Sequence, residues 1–405
     1  MHLPCPYVSL VTAVNEREIP TIGVYLHVPF CERICPYCDV PVVAARVLGR
    51  AAEERYVAAL QAELAHRQAA FAGRKLATIY LGGGTPSLLS PDSVSRLIDG
   101  VRAAFAGEPA EVTLEANPST TERERLAGFR AAGVTRLSLG VQSFDDDTLR
   151  RLGRAHRAAE SRAFIEAARG AGFSNLSLDL IFAAPGQDLE RVRRDAEAAL
   201  ACRPEHLSAY ALTLEPGTPF ARAVAADKLA VPEDDSAADM MLALGKAFEA
   251  EGFERYEVSS WARPGRAAVH NRRYWQRRPV LGLGVGAHSH EPARVDEPYG
   301  ARSANERALP AYLARIEARS CEPPEREVLS EATARSEAVF LALRTREGLD
   351  ASAFAAEFGA PPRGLFAGAI DDGIAAGQLS EDARGNLALT QAGWLFADAV
   401  AARFM

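Results

Sequence analysis

The segment "HVPFCERICPYCDV", residues 27–40, places Cys31, Cys35 and Cys38 within eight residues, directly after the apolar run "GVYLHVP" that starts at Gly23. Three thiols at C-x3-C-x2-C spacing are one ligand short of a closed zinc site or an ordinary ferredoxin-type cluster, each of which takes four from the protein. The other cysteines, Cys5, Cys202 and Cys321, are distant singletons, and no spacing nominates one of them as the fourth. The residues therefore point to a metal site with one open coordination position. A zinc site and a nucleophilic cysteine are the competing readings of the same thiols.

Working outward, β-rich runs alternate with helical patterns, the signature of βα units around a parallel sheet. The runs are "GVYLHVP" from Gly23, "LATIYLGG" from Leu76, "EVTLEAN" from Glu111, "RLSLGVQS" from Arg136, "NLSLDLIFA" from Asn175 and "HLSAYALT" from His206. Between them, stretches such as "ERYVAALQAELAHRQAAFA" and "SVSRLIDGVRAAF" repeat apolar residues at helical spacing. Six such units make an α/β fold with a partial (β/α)6 barrel, whose chemistry belongs at the C-terminal ends of the strands. Polar or special residues stand at those ends: the three cysteines, then Gly82, Gly83 and Gly84, then Glu115 and Asn117, then Gln142, with Asp179 in the fifth strand. Glycines there let backbone amides approach a ligand closely.

The chain has 405 residues, 48% hydrophobic and 24% charged, enough apolar surface for a large core and for two or three domains. Six cysteines in this length, three of them clustered, are not a disulfide framework, and free thiols beside a metal motif point to a reducing compartment, by default the cytoplasm. The N-terminus has no basic region ahead of a long apolar run, and no stretch has the length of a membrane-spanning helix. A net charge of -7 without blocks of like charge argues against non-specific nucleic-acid binding. The basic residues are almost all arginine, the lysines being Lys75, Lys228 and Lys246.

With Tyr37 preceding its last cysteine, the loop resembles that of radical S-adenosylmethionine (SAM) proteins. The resemblance implies three thiolates on three irons of a 4Fe-4S cluster and the amino and carboxylate groups of SAM on the fourth iron. The stretches "YLHVPFCERICPYCD", "YLGGGTPSLL", "LSLGVQSFDDDTLRRLGRAH", "LSAYALTLEPGTPF" and "YEVSSWARPGRAAVHNRRYW" resemble the branch that contains coproporphyrinogen oxidases and haem chaperones, over roughly residues 21–405. By that resemblance Tyr25, Gly83 and Glu115 contact the cluster-bound SAM. Tyr37, Gly84, Thr85, Gln142, Arg154 and Asp179 correspond to a second SAM position. A rim ion pair between Arg154 and Asp179 is the structural alternative.

Within the branch, oxidases carry a further cysteine shortly after the third, whereas this chain reads "CDVPVV". The segment "HNRRYW", His270–Trp275, resembles the signature of HemW-type haem chaperones. It offers His270 as an axial ligand, two aromatic rings, and Arg272, Arg273, Arg277 and Arg278 for propionates. His288, His290, Cys202 and Cys321 compete as ligands, and packing of His270 and its neighbours into the fold is the structural alternative. The resemblance implies a haem chaperone that passes haem to an acceptor protein. The alternative is a radical SAM enzyme that decarboxylates coproporphyrinogen or transfers a methyl group.

After Pro310 the alternation stops. "SEAVFLALRTREGL", "ASAFAAEFG" and "LFAGAIDDGIAAG" predict three short helices, "GQLSEDARGNLALT" a hairpin, and a last helix starts at Gln391. This describes a small winged-helix-like domain. Its candidate recognition helix carries Asp371 and Asp372 and no arginine or lysine over residues 365–376, which disfavours phosphate contact. The expected domains are an N-terminal extension (1–20), the barrel with a haem-associated extension (21–310) and the C-terminal domain (311–405).

Overall fold

Six strands form where the apolar runs predict them: β1 Thr21–Val28, β2 Lys75–Gly83, β3 Glu111–Ala116, β4 Arg136–Gln142, β5 Leu176–Phe182 and β6 His206–Ala211. The structure is a computed structural model that describes residues 20–45 and 48–405, so the expected N-terminal extension, with Cys5, lies outside the described residues apart from Pro20. The six strands are parallel and adjacent in chain order. Each crossover carries helix, as parallel pairing requires. Pro91–Ala104 shows why these segments are helical: Ser90 caps it by accepting from the Ser93 amide at 3.2 Å, and Val94, Leu97, Ile98 and Val101 bury one stripe against the sheet. A cap of this kind is worth about 1 kcal/mol.

The strands are not uniformly apolar. Leu137, Leu139 and Val141 of β4 are buried, whereas Arg136, Ser138, Gly140 and Gln142 face an internal cavity. Ser177 and Asp179 of β5 and His206, Ser208 and Tyr210 of β6 face it too. Register aligns them across the sheet: Glu115 stands opposite Ser138, Ser138 opposite Ser177, and Asp179 opposite Ser208. Alternation thus gives the partial barrel a polar lumen inside an apolar shell.

The sheet continues past the six strands to twelve among the described residues. Val280–Leu283 pairs parallel with β1, followed in antiparallel order by His288–Glu291, Ala301–Ala304 and Glu325–Val328. At the other edge Ser260–Ala262 runs antiparallel to β6 and to Glu254–Glu257. These flanking strands have three or four residues each, too short for periodicity to reveal.

The three predicted C-terminal helices are Glu331–Leu343, Ala351–Phe358 and Pro362–Ala375, and the hairpin pairs Leu379–Glu381 with Leu387–Leu389. They enclose a separate apolar core with Leu343, Phe354, Ile370 and Val400. The two cores part between Cys321 and Leu329. The helix Leu309–Glu317 therefore packs with the sheet, where the Tyr312 hydroxyl donates to Glu63 at 2.9 Å. No helix among the described residues is long and apolar enough to cross a membrane.

Candidate functional site

β1 feeds directly into the cysteine loop, and the fold holds that loop from several sides. Phe30–Cys31 pairs with Val43–Ala44. His27 Nε2 lies 2.9 Å from the Pro41 carbonyl, so a residue before the first cysteine fixes one after the last. Arg307 donates to the Asp39 carbonyl at 2.5 Å and to its carboxylate at 3.1 Å, and the Phe220 amide donates to the Pro36 carbonyl at 3.1 Å. A loop without regular structure is ordered when its backbone groups find such partners.

The three cysteines open onto one cavity of about 460 Å³, which Tyr37, Gly83, Gly84, Glu115, Gln142, Arg154 and Asp179 also line. Tyr25, Thr85 and His270 are not part of that lining and stand behind it. The Tyr25 hydroxyl is 3.1 Å from His27 Nδ1. Thr85 is buried, donates to the Cys31 sulfur at 3.7 Å and accepts from the Asn117 amide at 2.7 Å, so it orients two lining residues and does not itself line the cavity. Among the described residues no three His, Cys, Asp or Glu side chains converge closely enough for a single metal ion.

Two glycines are dictated by space. Gly83 has φ 113°, and a Cβ there would meet the His27 imidazole at 2.5 Å. At Gly84 a Cβ would lie 2.8 Å from the Phe30 carbonyl and 2.9 Å from the Cys31 sulfur. Backbone therefore forms this wall of the cavity, beside the thiols, where the amino-acid end of a ligand can approach.

Glu115 accepts from the Tyr80 hydroxyl at 2.7 Å and from the Gly83 amide at 2.9 Å. Burial pushes its carboxyl up to about 7, and these two donors only partly oppose the shift. Asp179 is likewise raised by burial and accepts from Ser138 at 3.0 Å and Ser177 at 3.4 Å. Arg154 donates to the Cys35 sulfur at 3.5 Å, to the Gly140 carbonyl at 2.9 Å and to Asn117. The rim ion pair between Arg154 and Asp179 is not formed, because Arg154 turns toward the cysteine loop. Burial drives the Cys31 thiol up to about 11, so thiolate there calls for a cation, as metal ligation provides.

The segment "HNRRYW" lies in a helix, Val269–Trp275, and its residues do not form a cradle around His270. His270 is buried, with Nδ1 2.8 Å from Thr78 Oγ1 and Nε2 3.0 Å from the Tyr274 hydroxyl, and its ring lies against Tyr80 at 5.1 Å. Both ring nitrogens are engaged and burial lowers its pKa to about 3, so the imidazole offers no free lone pair to iron in this arrangement. Arg272 pairs with Glu347, Arg277 with Glu357, and Arg273 is buried against the carbonyls of Thr21 and Pro279. Of the competing ligands, Cys321 is buried in the core and Cys202 donates to the Ala198 carbonyl at 3.3 Å, both away from the cavity.

Several lining residues escaped sequence reasoning: Asn117 as a hydrogen-bonding partner of Arg154, the serines 138, 177 and 208, His206, and Asn271. The signal was present in β4, β5 and β6. A parallel strand covered on both faces reads as a continuous apolar run, so polar residues at every second position mark a polar lumen. Asn271 stands in the quoted "HNRRYW" but carries no periodic signal, and only the placement of its helix brings it to the cavity.

Residues 25–199 match the Radical SAM superfamily and residues 329–396 the HemN C-terminal domain. Together with the three-cysteine loop at the mouth of a partial barrel, this defines a radical SAM protein. Coproporphyrinogen III oxidase (HemN) from Escherichia coli shares the fold, with TM-score 0.81 over 95% of this chain and 90% of that one at 23% identity. Heme chaperone HemW of Mycobacterium tuberculosis is 38% identical over 93% of each chain. Heme chaperone HemW of Bacillus subtilis is 32% identical over 94% of this chain and 98% of its own. The chain belongs to the HemW family.

Proposed function

We propose that this protein is a haem chaperone built on a radical SAM scaffold, which binds haem and passes it to an acceptor protein. The observation that carries the reading is similarity to proteins named heme chaperone HemW along nearly the whole of both chains. The lack of a further cysteine shortly after Cys38, in "CDVPVV", and the helix bearing "HNRRYW" agree with it.

Cys31, Cys35 and Cys38 would hold three irons of a 4Fe-4S cluster, and SAM would take the open iron. When bound, the pair supplies one-electron chemistry at the SAM sulfonium. The chain's own residues do the positioning. Gly83 and Gly84 let the amino-acid end approach, Glu115 presents a carboxylate to an ammonium or hydroxyl, and Arg154 sets a buried positive charge beside Cys35. Tyr37, Gly84, Gln142, Arg154 and Asp179 line the same cavity and suit the second SAM position. Haem does not fit His270 as that side chain stands, with both ring nitrogens hydrogen-bonded.

Anaerobic titration of the reconstituted protein with haem, followed in the Soret band, tests the reading, with transfer to an apo-haem protein as the second stage. Saturable binding and transfer are expected. Conversion of coproporphyrinogen to protoporphyrinogen by protein that binds no haem would replace the chaperone with an oxidase.

A further inference from the structure

The helix Val269–Trp275 separates two cavities. Ala268 and Asn271 line the one that holds the cysteines. Val269, Arg272, Arg273 and Gln276 line a second, of about 540 Å³, near the starts of β1 and β2, with Thr21 and Ala77 in its wall. It thus opens at the opposite mouth of the partial barrel from the cysteine loop. Six arginines line it, Arg255, Arg263, Arg272, Arg273, Arg278 and Arg346, against two glutamates. Those glutamates are already used: Glu347 pairs with Arg272 at 2.9 Å and Glu254 with Arg346 at 3.6 Å.

The deeper cations make their closest contacts with neutral groups, and Glu249 and Glu257 offset the charge of Arg255 only in part. Arg273 donates to the carbonyls of Thr21 and Pro279, and Arg263 to the carbonyls of Pro204 and Glu251. Arg255 lies between the indoles of Trp261 and Trp394, at 4.9 and 4.5 Å from their ring centres. Burial lowers the pKa of both Arg255 and Arg273 to about 10, a sign of positive charge held where water screens it poorly. Like charges focused in one concavity attract a multiply charged anion, and guanidinium forks match carboxylates. Ala262, Pro264, Ala267 and the exposed Val269 add an apolar side to the same cavity.

We propose that this arginine-lined cavity binds the dicarboxylate edge of a tetrapyrrole, haem in the chaperone reading on which the inference rests, with Val269 and its small apolar neighbours against the macrocycle. The cavity lining contains no histidine, cysteine or methionine, and the hydroxyl of its tyrosine, the buried Tyr256, is engaged by His206 at 2.8 Å, so the grip is on the propionates and leaves the iron open to the acceptor. Haem then sits across the barrel from the cluster.

The test uses the whole reconstituted protein and two variants, Arg272→Gln/Arg346→Gln at half-buried and exposed positions, and Val269→Trp, which fills the cavity. Each should weaken haem binding at least tenfold, with melting temperature and the SAM-induced change in the cluster's paramagnetic signal unchanged. Haem dimethyl ester, whose propionates are blocked, should bind the wild type at least tenfold more weakly than haem. Wild-type haem affinity in both variants, or equal binding of the ester, would overturn this site while leaving the chaperone reading intact. Absence of haem binding by the wild type would sink both. If inorganic pyrophosphate binds the wild type and not the double variant while haem affinity stays the same in both, the cavity serves phosphate and the proposal fails.

Discussion

Arg154 donates to the sulfur of Cys35 across 3.5 Å, a buried guanidinium with no carboxylate in ion-pair reach among the described residues. Its other contacts include the Gly140 carbonyl, the Asn117 side chain and the Tyr37 hydroxyl, so the cysteine loop is the anionic partner left to it. A hydrogen bond to a charged acceptor contributes about 1.5–3 kcal/mol. Such donors favour the more negative, reduced state of a thiolate-bound cluster. Arg154→Met should therefore lower the cluster's midpoint potential, read by redox titration with paramagnetic resonance. A potential equal to that of the wild type would show that the contact does not tune the cluster.

Gly83→Ala should abolish the effect of SAM on the cluster signal. The residue sits at φ 113°, and the new methyl would collide with the His27 ring at 2.5 Å. His27 in turn holds Pro41, so relief of the clash moves the loop that carries Cys38. Backbone strain of this kind costs about 1–3 kcal/mol. Melting temperature and the SAM-dependent signal report the two consequences separately, and an unaltered signal would mean that the glycine wall is not where the ligand approaches.

Glu115 makes SAM binding depend on pH. Its carboxyl, raised by burial from 4.5 to about 7, is protonated in much of the ligand-free protein at pH 6 and mostly ionised at pH 8. A ligand ammonium selects the ionised form, so affinity should rise severalfold between those values, and Glu115→Gln should flatten the profile. For ligand-free stability the sign is opposite. The native state binds the proton more tightly than the unfolded chain, so this group's contribution is greatest below about 4.5 and falls as pH climbs through 7. Thermal melts of wild type and Glu115→Gln across that range check it.

His270→Ala should cost stability and not haem. The ring joins Thr78 and Tyr274 and packs on Tyr80, whose hydroxyl holds Glu115. Loss of a buried histidine with two hydrogen bonds destabilises by about 2–4 kcal/mol. Haem affinity should remain within a few-fold of wild type, whereas loss of the Soret band at full folding would restore the imidazole as axial ligand.

Replacing Cys202 or Cys321 by alanine should leave the iron content of reconstituted protein unchanged, while replacing Cys31, Cys35 or Cys38 removes the cluster. The first two thiols lie away from the cavity that the other three share. Iron and sulfide analysis of the five variants decides it.

The sequence by itself determined the parts that depend on neighbours in the chain. The β-run before Cys31, the C-x3-C-x2-C spacing and the amphipathic helices are local patterns, and their periods specify strand, loop and helix without knowledge of the rest. It also placed the cysteines, Glu115, Gln142 and Asp179 at or near strand ends, because a parallel barrel collects those ends at one mouth. Tertiary structure alone decided what depended on residues far apart in the chain. Arg154 left Asp179 for Cys35 because the chain after β4 turns back over the cysteine loop. His270 became a buried support because its helix packs across β2, with Thr78 and Tyr80 beneath it. Arginines from positions 255 to 346 meet in one cavity because flanking strands and the start of the C-terminal domain close over the barrel's other mouth. A side chain's chemistry is written at its own position, but the partners that satisfy it are brought there by packing, and packing sums over the whole chain.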